Sequence, residues 1–115
     1  MEVSRRPQRV AALVRAELAK LLIEVDFDGD LSQLVITEVQ MSKDLRDALV
    51  FYSCGETPVK AIEAALEEAT PQLRKRIGHN LKLRYVPKLT FKLDNHGDSV
   101  ARVMQLLDEL KEPVE

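Results

Sequence analysis

The chain lacks several features that would assign it to a familiar class of secreted or membrane proteins. It has one cysteine, Cys54, so an internal disulfide is excluded and the reducing cytosol is the favoured compartment. Its N-terminus, MEVSRRPQRV, has no apolar core of signal-peptide length. No window approaches the roughly 20 apolar residues that a membrane span needs. We therefore expect a cytoplasmic protein with no membrane partner.

Recognisable catalytic and cofactor-binding motifs are also missing. The glycines are scattered, so there is no phosphate-binding loop, and His79 and His96 have no ligand-like spacing with the cysteine. Cys54 follows a predicted strand, where packing is a more common role than nucleophilic attack. The acidic run DFDGD at residues 26–30 suggests calcium, but an EF-hand loop needs a bidentate glutamate and flanking helices. We expect no enzyme, cofactor, metal or small-molecule substrate.

Aromatic residues are scarce, at 4% and without tryptophan, so base stacking should not dominate any contact with nucleic acid. Apolar residues make up 45% of the chain, which is enough for one hydrophobic core. The charged fraction of 31% does not indicate disorder. The sequence predicts a single domain at residues 10–110, with a flexible basic arm at residues 1–9 and a short tail at residues 111–115.

Charge is unevenly distributed, although the net charge is only −2. Residues 69–93 contain many lysines and arginines and no aspartate or glutamate, and residues 1–20 also carry an excess of positive charge. The stretches at residues 21–38, 56–68 and 94–115 are acidic. Such asymmetry favours a polyanionic partner on one side of the molecule, while a mixed solvated surface is the alternative that needs no partner.

Residues 57–93 organise the rest of the chain, because they combine this positive charge with a long helical stripe. The apolar residues of the stripe are Ile62, Leu66, Ala69, Leu73 and Ile77. Pro71 interrupts the stripe, since its ring removes a helical hydrogen bond, and Thr70 before it is a good N-cap. We expect two helices that share one buried face and meet at a kink at residues 69–71. The free N–H groups of the second helix would form a natural phosphate seat.

Periodicity and turn signals predict the remaining elements. A first helix covers residues 8–24, strands cover residues 34–41 and 47–53, and a last helix covers residues 99–110. The first helix should bury one face, which consists of Val10, Leu13, Val14, Leu18, Leu21 and Leu22. Glu17 should lie outside this face. The first strand should bury a face made of Val35, Thr37, Val39 and Met41. Thr57 should cap the helix after the second strand, and Gly78 should end the helix after the kink.

A third strand is predicted at residues 82–93, where apolar and basic residues alternate. Pro87 within this run indicates an edge strand, and the polar face is a basic stripe of Lys82, Arg84, Lys88 and Lys92. The strand at residues 47–53 is apolar on both faces, which indicates a central position in the sheet. Because a short connection joins it to the strand at residues 34–41, these two strands should form an antiparallel hairpin. A right-handed helical crossover would make the third strand parallel to the central one. The predicted fold is therefore α+β, with a three-stranded mixed sheet in the order 1-2-3 and helices on one face.

The distribution of basic residues favours phosphate binding as the function. Basic side chains on the arm, the second helix and the third strand can neutralise phosphates without reading sequence. They are Arg5, Arg6, Arg9, Arg74, Lys75, Arg76, Lys82, Arg84, Lys88 and Lys92. The alternative is a protein–protein module that dimerises or docks through the edge strand or the first helix. Binding through phosphates should weaken steeply with added salt, whereas an apolar interface should not.

Several segments, in this order and spacing, resemble the ribosome-binding factor A family. They are Arg9-Val10-Ala11, VQMSKDL at residues 39–45, QLRKRIG at residues 72–78 and LRYVPKLTF at residues 83–91, and the resemblance spans residues 4–110. It implies a type II KH fold, α-β-β-α-kink-α-β. It also implies a monomeric, non-enzymatic factor that binds the free or immature small (30S) ribosomal subunit and its rRNA, assists maturation of the 16S rRNA 5′ end and supports growth in the cold.

The resemblance widens the candidate RNA-binding set and shows two departures from the family pattern. Lys43 and Arg46 of the hairpin connection and Ala69 and Thr70 of the kink join the basic residues named above. The family's kink reads Ala-x-Gly, whereas Pro71 stands here in place of glycine and removes an N–H group. The linker at residues 26–30 is acidic where family members often carry a basic segment, so no RNA contact is expected near residues 24–31.

Overall fold

Two helices and three strands make up the computed structural model, which describes residues 6–25 and 31–94. In chain order they are α1 (Arg6–Glu24), β1 (Val35–Met41), β2 (Asp47–Ser53), α2 (Val59–Leu81) and β3 (Lys88–Leu93). The predicted helix at residues 99–110, the acidic run at residues 26–30 and the tail lie outside the described residues. Within the described residues, neither helix is long and apolar enough to cross a membrane.

Helix α1 begins earlier than predicted. Arg6 is its first residue, and Pro7 lies in the first turn, where a missing N–H group leaves no helical bond unmade. Arg6 and Arg9 are therefore helical, and the expectation of an arm reaching residue 9 is wrong. The buried face consists of Val10, Ala11, Val14, Glu17, Leu18 and Leu21.

The buried face of α1 differs from the predicted one at four positions, since Ala11 and Glu17 are buried, Leu13 is exposed and Leu22 is only half-buried. Leu13, which was expected inside, is 52% exposed. Glu17, which was expected outside, is buried, and its Oε2 accepts a hydrogen bond of 2.6 Å from Nδ2 of Asn80 on α2. Hydrophobic periodicity could not find this contact, because it depends on a polar residue of another helix.

The sheet confirms the predicted order and directions. Its order is β1-β2-β3, with β1 and β2 antiparallel and β2 and β3 parallel. Strand β2 has the predicted bounds and lies in the centre, and Ala48, Val50 and Tyr52 join the core formed with the two helices. Leu49 and Phe51 alternate with them and are also buried. The apolar character of both faces therefore correctly indicated the central strand.

A β-bulge in β1 changes which side chains are buried. Ile36 pairs with Tyr52 and Glu38 pairs with Phe51, so Thr37 is an extra residue in the strand. The extra residue shifts the alternation, so Ile36 is buried together with the predicted Val39 and Met41, whereas Val35 is 57% exposed. The expected inward face was wrong at Val35, because strict alternation takes no account of a bulge.

Helix α2 is continuous, so the predicted break at residues 69–71 is wrong. Pro71 lies inside the helix, and the hydroxyl of Thr70 donates to the carbonyl oxygen of Leu66 at 2.7 Å instead of capping a new helix. The stripe on both sides of the proline is buried as one face. The carbonyl that loses its helical donor belongs to Glu67, which is exposed, so water can take the donor's place.

Both ends of α2 differ in detail from the prediction. Pro58 is the N-cap residue and makes no side-chain cap bond, so Thr57 does not cap the helix. At the other end the helix continues beyond Gly78, and the N–H group of Lys82 donates to the Gly78 carbonyl oxygen at 3.1 Å. Gly78 has a different role: a Cβ atom there would lie 2.5 Å from Cγ2 of Val86. The glycine allows the chain after α2 to pack closely against the helix.

Strand β3 starts at Lys88, and residues 82–87 form a loop. The predicted strand was too long at its N-terminal end, so Lys82 and Arg84 do not belong to a strand stripe. Pro87 immediately precedes the strand, and the first strand N–H group, from Lys88, donates to the Arg46 carbonyl oxygen at 2.8 Å. Strand β3 is at the edge of the sheet, as the proline indicated.

Candidate nucleic-acid interface

Three basic segments meet at one end of the sheet. The register pairs Met41 with Ala48 and Asp47 with Lys88, so β1 ends where β2 and β3 begin. The β1–β2 turn at residues 42–46 and the α2–β3 loop at residues 82–87 therefore lie at this end. The first residue of α1, Arg6, lines a cleft with residues of both. We call this cationic surface the basic end, and it consists of Arg6, Lys43, Arg46, Arg84 and Lys88.

The β1–β2 turn is held by hydrogen bonds around Ser42, which is buried. The Ser42 hydroxyl donates to Oδ1 of Asp44 at 2.7 Å and accepts the N–H group of Asp47 at 3.0 Å. The same Oδ1 atom accepts the N–H group of Arg46 at 3.1 Å. Leu45 takes a left-handed conformation, with φ of 64°, and packs against the core. The turn is thereby fixed, and the side chains of Lys43 and Arg46 remain exposed.

The α2–β3 loop is fixed by Arg74. Its Nε and Nη2 atoms donate to the carbonyl oxygens of Pro87 and Val86, both at 3.0 Å. These bonds occupy two of the five N–H donors of the guanidinium group, and the side chain is half-buried. Arg74 was predicted to contact RNA, but its clearest role in the structure is to hold the loop that carries Arg84.

The Tyr85 ring contacts two arginines of the basic end. Its side chain is 48% exposed, and the guanidinium carbon Cζ of Arg46 lies 4.6 Å from the ring centroid. The Cζ atom of Arg84 lies 5.5 Å from the same centroid. Both distances are within the range of cation–π attraction. The cleft beside this group is lined by Arg6, Val10, Asp44, Leu45, Leu83, Arg84 and Tyr85.

The predicted phosphate seat at residues 69–71 is not formed. Because α2 is continuous, these residues have no free helix N-terminus, and Ala69 is only 5% exposed. A groove between α2 and β3 does pass Thr70 and Lys88, but Glu63 and Glu67 also line it. These two carboxylates oppose a phosphate at that position. The positive charge of the described residues is concentrated more clearly at the basic end.

Tyr52 of the central strand also lines this groove. Burial raises the pKa of its hydroxyl above the ordinary value of 10.0, and the nearby Glu63 and Cys54 raise it further. The hydroxyl therefore stays protonated at neutral pH and presents a neutral polar group to the groove.

The remaining predicted residues lie elsewhere on the surface. Lys75 and Arg76 are exposed, and since consecutive helical residues point about 100° apart, they are turned away from the loop that Arg74 contacts. Arg9 is exposed on α1, and Lys82 is exposed just after α2. Lys92 is half-buried on β3, and Arg5 lies outside the described residues. The structure thus brings together the ends of three segments rather than the whole basic stretch.

Tyr85 is the site residue that sequence reasoning missed. Alternation placed it on the apolar face of a long third strand, beside Leu83 and Leu89. It lies instead in a loop, because the strand starts only after Pro87. An available signal was the position of Arg84 and Tyr85 ahead of Pro87, since proline disfavours strand pairing and an aromatic residue outside a strand needs another partner.

The structure also bears on metal and thiol chemistry. Among residues 6–25 and 31–94, no three histidine, cysteine, aspartate or glutamate side chains are grouped so that they could hold a metal ion. Cys54 is buried, and its Sγ atom donates to the carbonyl oxygen of Thr57 at 3.3 Å. The thiol therefore packs inside the fold, next to the turn that leads into α2.

The chain is similar to ribosome-binding factor A proteins in both sequence and structure. A family model described as Ribosome-binding factor A matches residues 6–107. A ribosome-binding factor A of Coxiella burnetii is 40% identical over 107 residues, covering 92% of this chain and 90% of the relative. The crystal structure of ribosome-binding factor A from Thermus thermophilus matches with a TM-score of 0.67 at 23% identity, over 76% of this chain and 93% of that one.

A second structural match concerns a complex. Coordinates of a homology model of Thermus thermophilus ribosome binding factor A, as fitted into a cryo-EM map of a complex with the 30S subunit, match with a TM-score of 0.62 at 21% identity. The match covers 76% of this chain and 94% of that one. At this level of identity the two structural matches establish the fold, which is KH-like, as the α-β-β-α-β order of the described elements indicates.

Proposed function

Because the chain belongs to the ribosome-binding factor A family, we propose that it binds the immature small ribosomal subunit and that the basic end contacts the rRNA. The factor holds one conformer of the rRNA and shifts its population, without making or breaking a covalent bond. The fitting of a structurally similar Thermus protein into a 30S complex supports this partner.

The observation that carries the proposal is the convergence of cations from three separate segments onto one fixed surface. The Lys88 N–H group bonds to the Arg46 carbonyl oxygen, and Arg74 ties the loop that carries Arg84 to α2. Cations held in place lose less conformational entropy on binding than cations on a mobile arm. Neutralising phosphates with such groups releases counterions, which drives binding to RNA of any sequence.

We also propose a cellular role for this contact with rRNA. A cytoplasmic factor that holds an rRNA conformer would assist processing at the 5′ end of 16S rRNA by keeping the precursor in a cleavable arrangement. RNA pairings that compete with this arrangement exchange more slowly in the cold, so the factor should matter most for growth at low temperature. It acts as a monomer and has no catalytic step of its own.

The direct test is sedimentation of the purified protein with small ribosomal subunits. We expect Lys43→Glu combined with Lys88→Glu to weaken binding about tenfold or more, because both side chains are exposed on the basic end. The matched control is Lys20→Glu with Lys60→Glu, which makes the same charge change on exposed lysines elsewhere on α1 and α2. Circular dichroism should show both variants folded.

The salt dependence of binding separates RNA contact from a protein–protein interface. For the unchanged protein, the logarithm of affinity should fall linearly with the logarithm of salt concentration, and the slope should become shallower by roughly 0.7–0.9 for each phosphate contact removed. Equal weakening in the basic-end and control variants would mean that only net charge matters and would contradict the assignment. Binding that is insensitive to salt would favour an apolar docking surface instead.

A further inference from the structure

The half-exposed ring of Tyr85 lies in a cleft among charged groups, whereas the other described tyrosine, Tyr52, is only 1% exposed. We propose that Tyr85, with Arg46 and Arg84, forms a seat on which one unpaired RNA base stacks. The inference rests on the RNA partner proposed above and adds to it the form of RNA that is recognised. The basic end would then bind the base of a single-stranded nucleotide in addition to phosphates.

The chemistry of the three side chains suits a base. The guanidinium groups of Arg46 and Arg84 lie 4.6 Å and 5.5 Å from the Tyr85 ring centroid, so planar cationic surfaces accompany the aromatic one. Bases of unpaired nucleotides stack both on aromatic rings and on arginine guanidinium planes. Such stacking tolerates any sequence, because every base has a π-face.

The seat is already ordered before any ligand arrives. Arg74 holds the carbonyl oxygens of Val86 and Pro87, immediately after Tyr85. On the other side, the Arg46 backbone is bonded through its N–H group to Asp44 and through its carbonyl oxygen to Lys88. A base that binds here therefore meets side chains on two fixed segments, which lowers the entropic cost of binding.

The charges lining the cleft indicate a nucleotide rather than a free anion. Arg6 and Arg84 attract the phosphates on either side of a base, but the carboxylate of Asp44 lines the same cleft and repels a phosphate placed beside it. A carboxylate accepts hydrogen bonds from the N–H groups of a base or from a ribose 2′-hydroxyl. The arrangement therefore fits a base beside Asp44 with its phosphates directed toward the arginines.

An unpaired nucleotide is required, because the bases of an A-form duplex are stacked on one another and its deep major groove excludes side chains. We therefore expect the cleft to distinguish single-stranded from double-stranded RNA. The phosphate contacts of Lys43 and Lys88 should not make this distinction, since both forms of RNA present phosphates.

The test uses the full chain with a short single-stranded RNA that contains one 2-aminopurine, and with the same RNA paired to its complement. Stacking on an aromatic ring quenches the fluorescence of 2-aminopurine. Tyr85→Leu should lose this quenching and bind the single strand about tenfold more weakly, while its affinity for the duplex stays the same. Tyr85→Phe is the matched control, since it keeps the ring, and it should retain the affinity and the quenching.

The outcomes separate this inference from the proposed function. If Tyr85→Leu binds and quenches the single strand as the unchanged protein does, the seat does not exist, even if Lys43→Glu with Lys88→Glu still weakens subunit binding. If Tyr85→Leu weakens subunit binding but not single-strand binding, the ring contacts a protein of the subunit, and the inference is again wrong. Unchanged melting temperatures for both Tyr85 variants would exclude a folding defect.

Discussion

Arg74 determines where a neighbouring loop lies, and through the loop it positions the side chains that face a partner. Its guanidinium bonds to the Pro87 and Val86 carbonyl oxygens join the middle of α2 to the chain just before β3. Lysine has the same charge but cannot make two parallel bonds with a rigid planar group. The planar geometry of the Arg74 side chain, more than its charge, therefore determines how well it holds the loop.

We predict that Arg74→Lys lowers the free energy of unfolding by about 1–3 kcal/mol, because a half-buried carbonyl oxygen loses its donor. Urea unfolding monitored by circular dichroism measures this. Arg76→Lys is the control, since Arg76 is exposed on the same helix and should tolerate lysine within about 0.5 kcal/mol. Equal stability of the two variants would mean that the Arg74 bonds contribute nothing to the fold.

Ionisation of Tyr52 makes the stability of the fold depend on pH in the alkaline range. Burial is the main cause of its raised pKa, and Glu63 and Cys54 add to it, so the folded state resists ionisation of the phenol more than the unfolded state does. The stability that follows from the neutral phenol is fully present below pH 10 and is lost as the pH rises through the folded-state pKa. The effect is therefore confined to the alkaline range.

We predict that the free energy of unfolding of the unchanged protein falls faster between pH 9 and about pH 11 than that of Tyr52→Phe. Phenylalanine keeps the packing of the ring and has no proton to lose. Urea unfolding at a series of pH values gives the two curves. Parallel curves would show that Tyr52 ionises equally easily in the folded and unfolded states.

At the scale of the elements, α2 shows what the sequence could and could not predict. The spacing of Ile62, Leu66 and Leu73 correctly predicted the buried face, because burial of a stripe is a local property of the helix. The break at Pro71 was predicted from the cost of proline in a helix and from Thr70 as an N-cap, and it was wrong, because α2 continues through Pro71 and the Thr70 hydroxyl bonds to the Leu66 carbonyl oxygen. The bulge at Thr37 and the late start of β3 at Lys88 also depend on partners distant in sequence, which periodicity does not contain.

The candidate site was predictable in composition but not in arrangement. The basic residues were identifiable from charge, and the central and edge strands from their apolar patterns. Their convergence depends on the parallel register of Asp47 with Lys88 and on the contacts of Arg74 with the loop. Both are long-range, so no local pattern could separate Lys75 and Arg76 from the residues of the basic end.

We predict that Gly78→Ala destabilises the protein by about 1–3 kcal/mol, although alanine has the higher helix propensity. The new Cβ would lie 2.5 Å from Cγ2 of Val86, whose short branched side chain cannot move far. Thermal and urea unfolding measure the change. Combining Gly78→Ala with Val86→Ala should recover part of the loss, and a stabilising Gly78→Ala would show that the loop is not packed against the helix.

At the scale of the whole molecule, the small net charge of −2 conceals a cationic surface at one end of the sheet. The groove between α2 and β3 contains the carboxylates of Glu63 and Glu67. A polyanion approaching the molecule is therefore attracted more strongly to the basic end than to this groove, which Lys88 also lines, at distances within a Debye length, about 8 Å at physiological salt. The charge distribution favours one orientation of the protein on RNA.

The central claim is tested most directly by sedimenting cell lysates through a density gradient and probing the fractions for this protein. The unchanged protein and the Lys20→Glu, Lys60→Glu control should comigrate with free small subunits and be absent from intact ribosomes. The Lys43→Glu, Lys88→Glu variant should remain with soluble protein at the top of the gradient. Comigration of this variant with small subunits at the level of the unchanged protein would contradict binding through the basic end.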